Sequence, residues 1–317
     1  MQDKILDLLK RKEGYISGDQ LSQKLDISRQ ALWKHIQELK EKGYEIIAVP
    51  HLGYQLISSA DRLFDFEVAH GLGTKFIGKK IYYFESLPST MDTAWELGLK
   101  GAPEGTLVLS EQQTRGRGRI GRSWVSAKHK GIYLSLILKP KMLPAQASIL
   151  TLLAAVSTCE AIGSTLSMEA KIKWPNDILL KDKKLGGILT ELNAETDKIN
   201  FVVIGLGLNV NNDKKSLPPS ATSLKEHKKE HLSRVPLLQE ILRKIEENYL
   251  SLEKGEEQVL KGWREYSITL GRRIRVCCQK QEVEGEAVDI DTDGGLLVRK
   301  DSGLTAKVMA GDVVHCR

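Results

Sequence analysis

Apolar residues return at helical spacing through residues 1–58, and each run is closed by a residue that ends helices. Ile5, Leu6, Leu8 and Leu9 predict one apolar face on a first helix that stops before Gly14. Ser17 followed by Gln20 has the form of a capping box and opens a second helix through Leu25. Asp26, Ile27 and Ser28 make a short turn. Ser28 can cap a third helix that runs to about Lys42 and ends at Gly43. Leu32, Ile36 and Leu39 fall four and three residues apart, the stripe of a helix with one buried side. Tyr44–Val49 and Gly53–Ile57 follow as two short strands joined at Pro50-His51-Leu52.

Helix, helix, tight turn, helix and hairpin is the winged helix-turn-helix plan, whose third helix enters a DNA major groove. The polar side of that helix carries Ser28, Arg29, Gln30, Lys34 and Gln37 near its N-terminus. Arg and Gln pair bidentately with guanine and adenine edges, and Lys suits a phosphate. Residues 1–58 hold nine basic and eight acidic side chains. Bulk charge therefore does little, and two copies on a palindromic site are needed.

Beyond residue 58 strand patterns alternate with helical ones. Ile81–Glu85 reads as a strand, Met91–Leu99 as a helix, and Thr106–Ser110 and Gly131–Lys139 as strands, the last with alternating character. Ile178–Leu180, Ile188–Leu192 and Phe201–Ile204 are further strands, with glycines expected at strand ends where a ligand can lie against backbone. From Arg272 the strands shorten: Arg272–Cys277, Val283–Val288, Gly295–Arg299 and Leu304–Val308, with a strong turn at Asp291–Gly295. So many strands within residues 271–317 predict a small barrel.

The longest apolar stretch, Ile149–Leu166, is interrupted by Glu160 and Gly163 and reads as too short to span a bilayer. Asp3 and Lys4 open an amphipathic helix rather than a secretory signal. Cys159, Cys277, Cys278 and Cys316 show no C-x-x-C spacing and fit a reducing cytosol. A cytoplasmic protein without a membrane partner is expected.

Charge then singles out one place. The chain has 47 Lys+Arg against 41 Asp+Glu, net +6, and residues 111–130 alone hold six basic residues and one acidic. A surplus that local marks an anion site rather than a basic surface. The stretch runs from Glu111 to Trp124 and contains Arg115, Gly116, Arg117, Gly118, Arg119, Ile120, Gly121 and Arg122. Its glycines satisfy G-x-G-x-x-G, but the apolar helix of a dinucleotide turn does not follow, and the companion motifs of a kinase are missing. Glycines permit close backbone approach, and arginines present planar donors for phosphate or carboxylate. Such a loop is expected to be mobile when empty and ordered when occupied.

Downstream stand Lys173-Trp174-Pro175-Asn176-Asp177, Lys184-Leu185-Gly186-Gly187 and Gly205-Leu206-Gly207-Leu208-Asn209. His227 to His231 spells H-x-x-E-H, but it lies in the polar run Lys225–Arg234 after Pro218-Pro219 and reads as a solvated segment, not a zinc site.

A winged helix, a Ser89-Thr90 turn, the G-R-G-R-x-G-R loop of Gly116–Arg122, K-W-P-N-D at Lys173–Asp177, and the two glycine motifs occur in that order. Together they resemble the bifunctional biotin–protein ligases that are also biotin-operon repressors, over the whole chain. Met91 stands where that family often has Asn, and Ile120 fills its variable loop position.

The resemblance implies an α+β multidomain protein. Its parts would be a winged helix-turn-helix at 1–58, a central biotin/lipoate ligase-like mixed β-sheet with helices at 59–267, and an SH3-like small β-barrel at 268–317. It implies two steps with ATP, Mg2+ and biotin. The biotin carboxylate attacks the α-phosphate of ATP, giving biotinyl-5′-AMP and pyrophosphate. A lysine of the biotin carboxyl carrier protein (of acetyl-CoA carboxylase or pyruvate carboxylase) then attacks the mixed anhydride. No protein nucleophile is needed, only cationic stabilisation of carboxylate and phosphate oxygens.

On the matching motifs, Arg119 and Lys184 would be catalytic. Ser89, Thr90, Gln113, Gly116, Arg117, Arg119 and Lys184 would bind biotin, against a wall of Gly187, Gly205 and Gly207. Arg117, Arg119, Arg122, Trp124, Lys173, Asn176 and Asn209 would bind ATP and the adenylate, with Trp124 stacking. Asp177 would either assist magnesium or pair with a nearby base. The resemblance further implies a homodimer that, loaded with biotinyl-AMP as corepressor, holds operator DNA and represses biotin biosynthesis or transport genes. A ligand-sensing factor without catalysis has no use for both K-W-P-N-D and the arginine loop, and lipoate ligases usually lack the N-terminal reader.

Overall fold

A computed structural model describes residues 1–278 and 281–315, so Cys316 lies outside the described residues. The chain divides into two compact units, Met1–Arg62 and Leu63–Arg317.

In the first unit, α1 (Gln2–Arg11), α2 (Gly18–Leu25) and α3 (Arg29–Glu41) precede the antiparallel hairpin of β1 (Glu45–Val49) and β2 (Gly53–Ser58). Ile5, Leu6, Leu9, Leu21, Leu32, Ile36 and Leu39 are buried, which is the core that the periodicity predicts. The two serines cap as expected: Ser17 Oγ accepts the Gln20 N–H at 3.2 Å, and Ser28 Oγ accepts the Ala31 N–H at 3.1 Å. Asp26 takes the left-handed conformation at φ 52°, which ends α2 and lets α3 begin after Ile27 and Ser28. Gly53 has a steric role: a Cβ there would stand 2.0 Å from the Ile16 carbonyl oxygen.

The second unit is built on α4 (Asp65–Ala69), β3 (Ile81–Phe84), α5 (Thr90–Leu99), β4 (Leu107–Ser110), β5 (Gly131–Leu138), α6 (Ser148–Leu166), β6 (Lys171–Lys173), β7 (Asp177–Leu180), β8 (Lys183–Ala194), β9 (Ile199–Asn209), α7 (Leu224–Lys228), α8 (Arg234–Ser251) and α9 (Glu257–Tyr266). Seven strands form one mixed sheet in the order β3-β4-β5-β9-β8-β7-β6. Only β3 and β4 run parallel, with α5 as their crossover. Met91 and Ala94 of α5 pack with Val108, Ile137 and Val203. Leu136, Val202 and Ile204 instead join α6 and α8 in the larger core. Apolar cover on both faces explains why β5 is buried at every position instead of alternating as expected.

With the turn before it, the apolar run of α6 extends over Pro144–Leu166, 23 residues, and by length and composition is enough to cross a membrane, contrary to the expectation. It is a core helix here, with 67% of its apolar window buried. Cys159 is buried within it, and that burial pushes its thiol pKa well up.

The chain ends in β10 (Arg273–Cys278), β11 (Gln281–Ile290), β12 (Leu296–Arg299), β13 (Thr305–Val308) and β14 (Asp312–His315), an antiparallel sheet ordered β13-β12-β11-β10-β14. Met309, Ala310 and Gly311 alone connect one edge strand to the other, which demands a strongly curled sheet. Among the described residues β13 and β14 do not pair with each other. The expected closed barrel is therefore a curled, open sheet, because its edges approach without forming a ladder.

Candidate active site

The cavity that gathers most of the predicted residues encloses about 320 Å³ in the second unit. Its floor is bare backbone. Gly187 of β8 faces Gly207 of β9 across the ladder, and Gly205 lies two residues earlier on the same face. These glycines sit inside long strands, not at strand ends as expected. A Cβ on Gly207 would stand 2.5 Å from the indole nitrogen of Trp124, and one on Gly187 would stand 3.4 Å from the same ring. Trp124 thus lies against the strip, and among the described residues its buried Nε1 has no hydrogen-bond partner. Over Gly205 the space is filled by Met91, whose Sδ would meet a Cβ at 2.5 Å.

The back wall is a closed polar network. The N–H and Oγ1–H of Thr90 both donate to Gln113 Oε1, at 2.8 and 3.0 Å. Gln113 Nε2 donates to Ser126 Oγ at 2.9 Å, and Ser135 Oγ donates to Thr90 Oγ1 at 2.9 Å. Ser89 begins α5 fully buried, its Oγ without a partner among the described residues. Tyr133, beside Gly207 in the ladder, donates its hydroxyl to the Ala127 carbonyl. Burial pushes that phenol up to about 12, so it stays a neutral donor.

Cations line the mouth. Lys184 Nζ is 2.7 Å from Asp177 Oδ1 and 5.7 Å from the Trp124 ring centroid. Arg119 donates to Asn176 Oδ1 at 3.0 Å, while Asn176 Nδ2 donates to the Ile188 carbonyl at 2.7 Å. Arg122 and Lys173 complete this side, and Val313 and Val314 of β14 reach it from the C-terminal sheet. Arg117 lines the cavity, yet its guanidinium bridges Asp92 on α5 and Glu191 on β8. At the loop tip the β-branched Ile120 is held at φ 55°, a conformation that costs about 1–2 kcal/mol and is suited to rearrangement.

Three predicted residues do not line the cavity: Ser89, Gly116 and Asn209. Gly116 closes the loop, accepting the Trp124 N–H at 2.8 Å. Asn209 is buried and donates to the Thr222 carbonyl at 3.1 Å, with Oδ1 unpartnered among the described residues. On the first unit, the Ser28 oxygen is used for capping and Arg29 pairs with Asp19, while Gln30 and Lys34 are exposed and Gln37 is half-buried. The H-x-x-E-H segment is not one helix, since α7 ends at Lys228 and Lys229 after it is held at φ 63°.

Sequence reasoning missed the carboxylates around the loop. Glu111, at its head, is fully buried and pairs at 2.7 Å with the equally buried Arg234. Its other oxygen accepts the Leu63 N–H at 2.8 Å, and Arg234 also donates to the Gly131 carbonyl at 3.0 Å. A lone acid preceding a basic loop was the available signal.

Comparison with known proteins follows the same division of the chain. Residues 2–55 match a helix-turn-helix domain, 83–209 the biotin/lipoate A/B protein ligase family, and 269–316 the biotin protein ligase C-terminal domain. The chain is 39% identical over 304 residues to the bifunctional ligase/repressor BirA of Bacillus subtilis (strain 168), covering 94% of this chain and 93% of that protein. A biotin–[acetyl-CoA-carboxylase] ligase of Mycobacterium tuberculosis is 36% identical, with 68% and 80% covered. The biotin protein ligase of Aquifex aeolicus, solved in complex with biotin and ATP, superimposes with a TM-score of 0.65 at 27% identity, over 75% of this chain and 99% of that one.

Proposed function

Because the chain belongs to the family of bifunctional biotin ligase/repressors, we propose that its cavity makes biotinyl-5′-AMP and that its N-terminal unit reports that intermediate to DNA. The protein is an ATP-dependent biotin–protein ligase acting on the biotin carrier of acetyl-CoA carboxylase, and a repressor through its helix-turn-helix. The observation that carries the site assignment is the glycine floor under Trp124, flanked by Lys184 and Arg119.

In our reading, biotin enters against the Thr90–Gln113–Ser126 network, which offers fixed polar groups at the closed end. Its carboxylate oxygen attacks the α-phosphorus of ATP, the bond to pyrophosphate breaks, and biotinyl-AMP forms. Lys184 and Arg119 offset the charge that gathers on the carboxylate and phosphate oxygens, with Arg122 and Lys173 toward the phosphates. The acceptor lysine amine then attacks the acyl carbon, AMP leaves, and one proton is lost. Trp124 and the buried Asn209 oxygen are suited to the adenine end, and Ser89 and Gly116 act from behind the wall. Arg117 holds the loop rather than the phosphate.

Among the described residues Asp177 is the one carboxylate lining the cavity, and magnesium ordinarily takes one or two protein carboxylates together with substrate phosphates. That donor set fits Mg2+ carried mainly on ATP, where it would neutralise phosphate charge. We further assign residues 1–58 to DNA reading through Gln30, Lys34 and Gln37 with Ser28 and Arg29 beside them, 59–267 to catalysis, and 268–317, an SH3-like element, to completing the nucleotide end through Val313 and Val314. Homodimerisation is supported by β8: β7 covers it only as far as Gly187, so among the described residues no strand pairs with the other edge of 189–194. A cytoplasmic location with no membrane partner accords with these partners, and pyruvate carboxylase is a further carrier.

Pyrophosphate release with ATP and either biotin or lipoate tests the reading. Release that needs biotin, followed by label on the carrier lysine, supports it. Release with lipoate alone overturns it.

A further inference from the structure

Trp33 sits in the middle of α3 with 56% of its surface exposed. The core stripe of that helix is already complete in Leu32, Ile36 and Leu39, so the indole is not a displaced core residue. Gln30 and Gln37 lie three and four residues away on the same flank, with Lys34 beside it. No acidic residue occurs in the first turn of α3, which suits a polyanion. A large apolar ring set among amides and a lysine matches a surface that is itself mostly polar with an isolated apolar spot. The thymine 5-methyl is that spot on the floor of a major groove. Arg29, the strongest hydrogen-bonding reader by type, is engaged by Asp19.

We propose that Trp33 is a specificity-determining residue that reads a thymine by packing its indole on the 5-methyl group, between the amides of Gln30 and Gln37. The inference rests on the repressor reading above. The test uses the full chain with biotin and ATP, and duplexes that the unaltered protein enriches from a random-sequence library. Each thymidine in turn is replaced by deoxyuridine, which removes the methyl alone. At one position per half-site the unaltered protein binds about fourfold more weakly, the weight of one buried methyl. Trp33→Ala still binds the thymidine duplex, which shows that its first unit is folded, but it binds the two duplexes equally, and its undiminished pyrophosphate release shows that the second unit is intact. Trp33→Phe keeps part of the discrimination. Full methyl discrimination in Trp33→Ala, or none in the unaltered protein, overturns the proposal. Failure to enrich any sequence would instead remove the repressor reading, and this proposal with it.

Discussion

The indole of Trp124 lies on the backbone of Gly207, so close that a single methyl on the glycine would stand 2.5 Å from the indole nitrogen. Gly207→Ala should therefore lift Trp124 off the strip and lower adenylate formation by about tenfold or more. Gly187→Ala meets the ring only at 3.4 Å, and Gly205→Ala meets the flexible end of Met91. Both should keep most activity. Steady-state pyrophosphate release ranks the three, and an equal loss in all would show that the floor does not support the indole.

Lys184 and Arg119 face the same cavity from different elements, tied to Asp177 and Asn176. Lys184→Ala and Arg119→Ala should each cut adenylate formation by about a hundredfold or more, as removing a preorganised charge stabiliser does. DNA binding by the unliganded protein should not change. Unaltered turnover in both variants would sink the catalytic assignment.

Arg117 is held by Asp92 and Glu191, all three substantially solvent-exposed. Exposed pairs add little stability, so Asp92→Asn combined with Glu191→Gln should change unfolding free energy by less than about 1 kcal/mol. The loop, however, loses its outer tether. Dissociation of preformed biotinyl-AMP should quicken several-fold, while the rate of its formation at saturating substrate stays within about twofold. A slow, unchanged release would show that the bridge does not hold the loop.

Glu111 and Arg234 are the opposite case, a pair with no solvent at either end. Glu111→Gln removes the carboxylate that pairs with a fully buried guanidinium and should destabilise the second unit by about 3–5 kcal/mol in denaturant unfolding. Glu111→Gln with Arg234→Met should recover part of that loss. A single variant as stable as the parent would contradict the burial.

Thiol chemistry separates core from surface. Cys159 is buried with its pKa pushed well up, whereas Cys277 is exposed. A thiol reagent at mildly alkaline pH should label Cys277 in the native protein and reach Cys159 only on unfolding, as peptide mapping will show. Labelling of native Cys159 would mean that α6 opens.

The first unit was legible almost residue by residue, because its caps and stripe are local: Ser17, Ser28 and Leu32 each act within four positions of themselves. The cavity was legible as a set of motifs but not as a geometry. Glycine's poor strand propensity hid that β8 and β9 continue straight through Gly187, Gly205 and Gly207. The partners of Arg117 stand 25 and 74 residues away and carry no sign of it in their own surroundings. Nor does Val313 or Val314 announce a place at the cavity mouth. Those contacts depend on sheet order, which periodicity does not encode.

The glycine floor also limits what inheritance can do with this cavity. Side-chain walls can be exchanged one for another, but at Gly187, Gly205 and Gly207 every coding change adds atoms and none trades them. Mutation there can only shrink the chamber, and at Gly207 it also displaces the indole. A lineage that acquired another acyl substrate would have to write the change chiefly into the arginine loop or the back wall, with Gly207 passed down unedited beneath the indole.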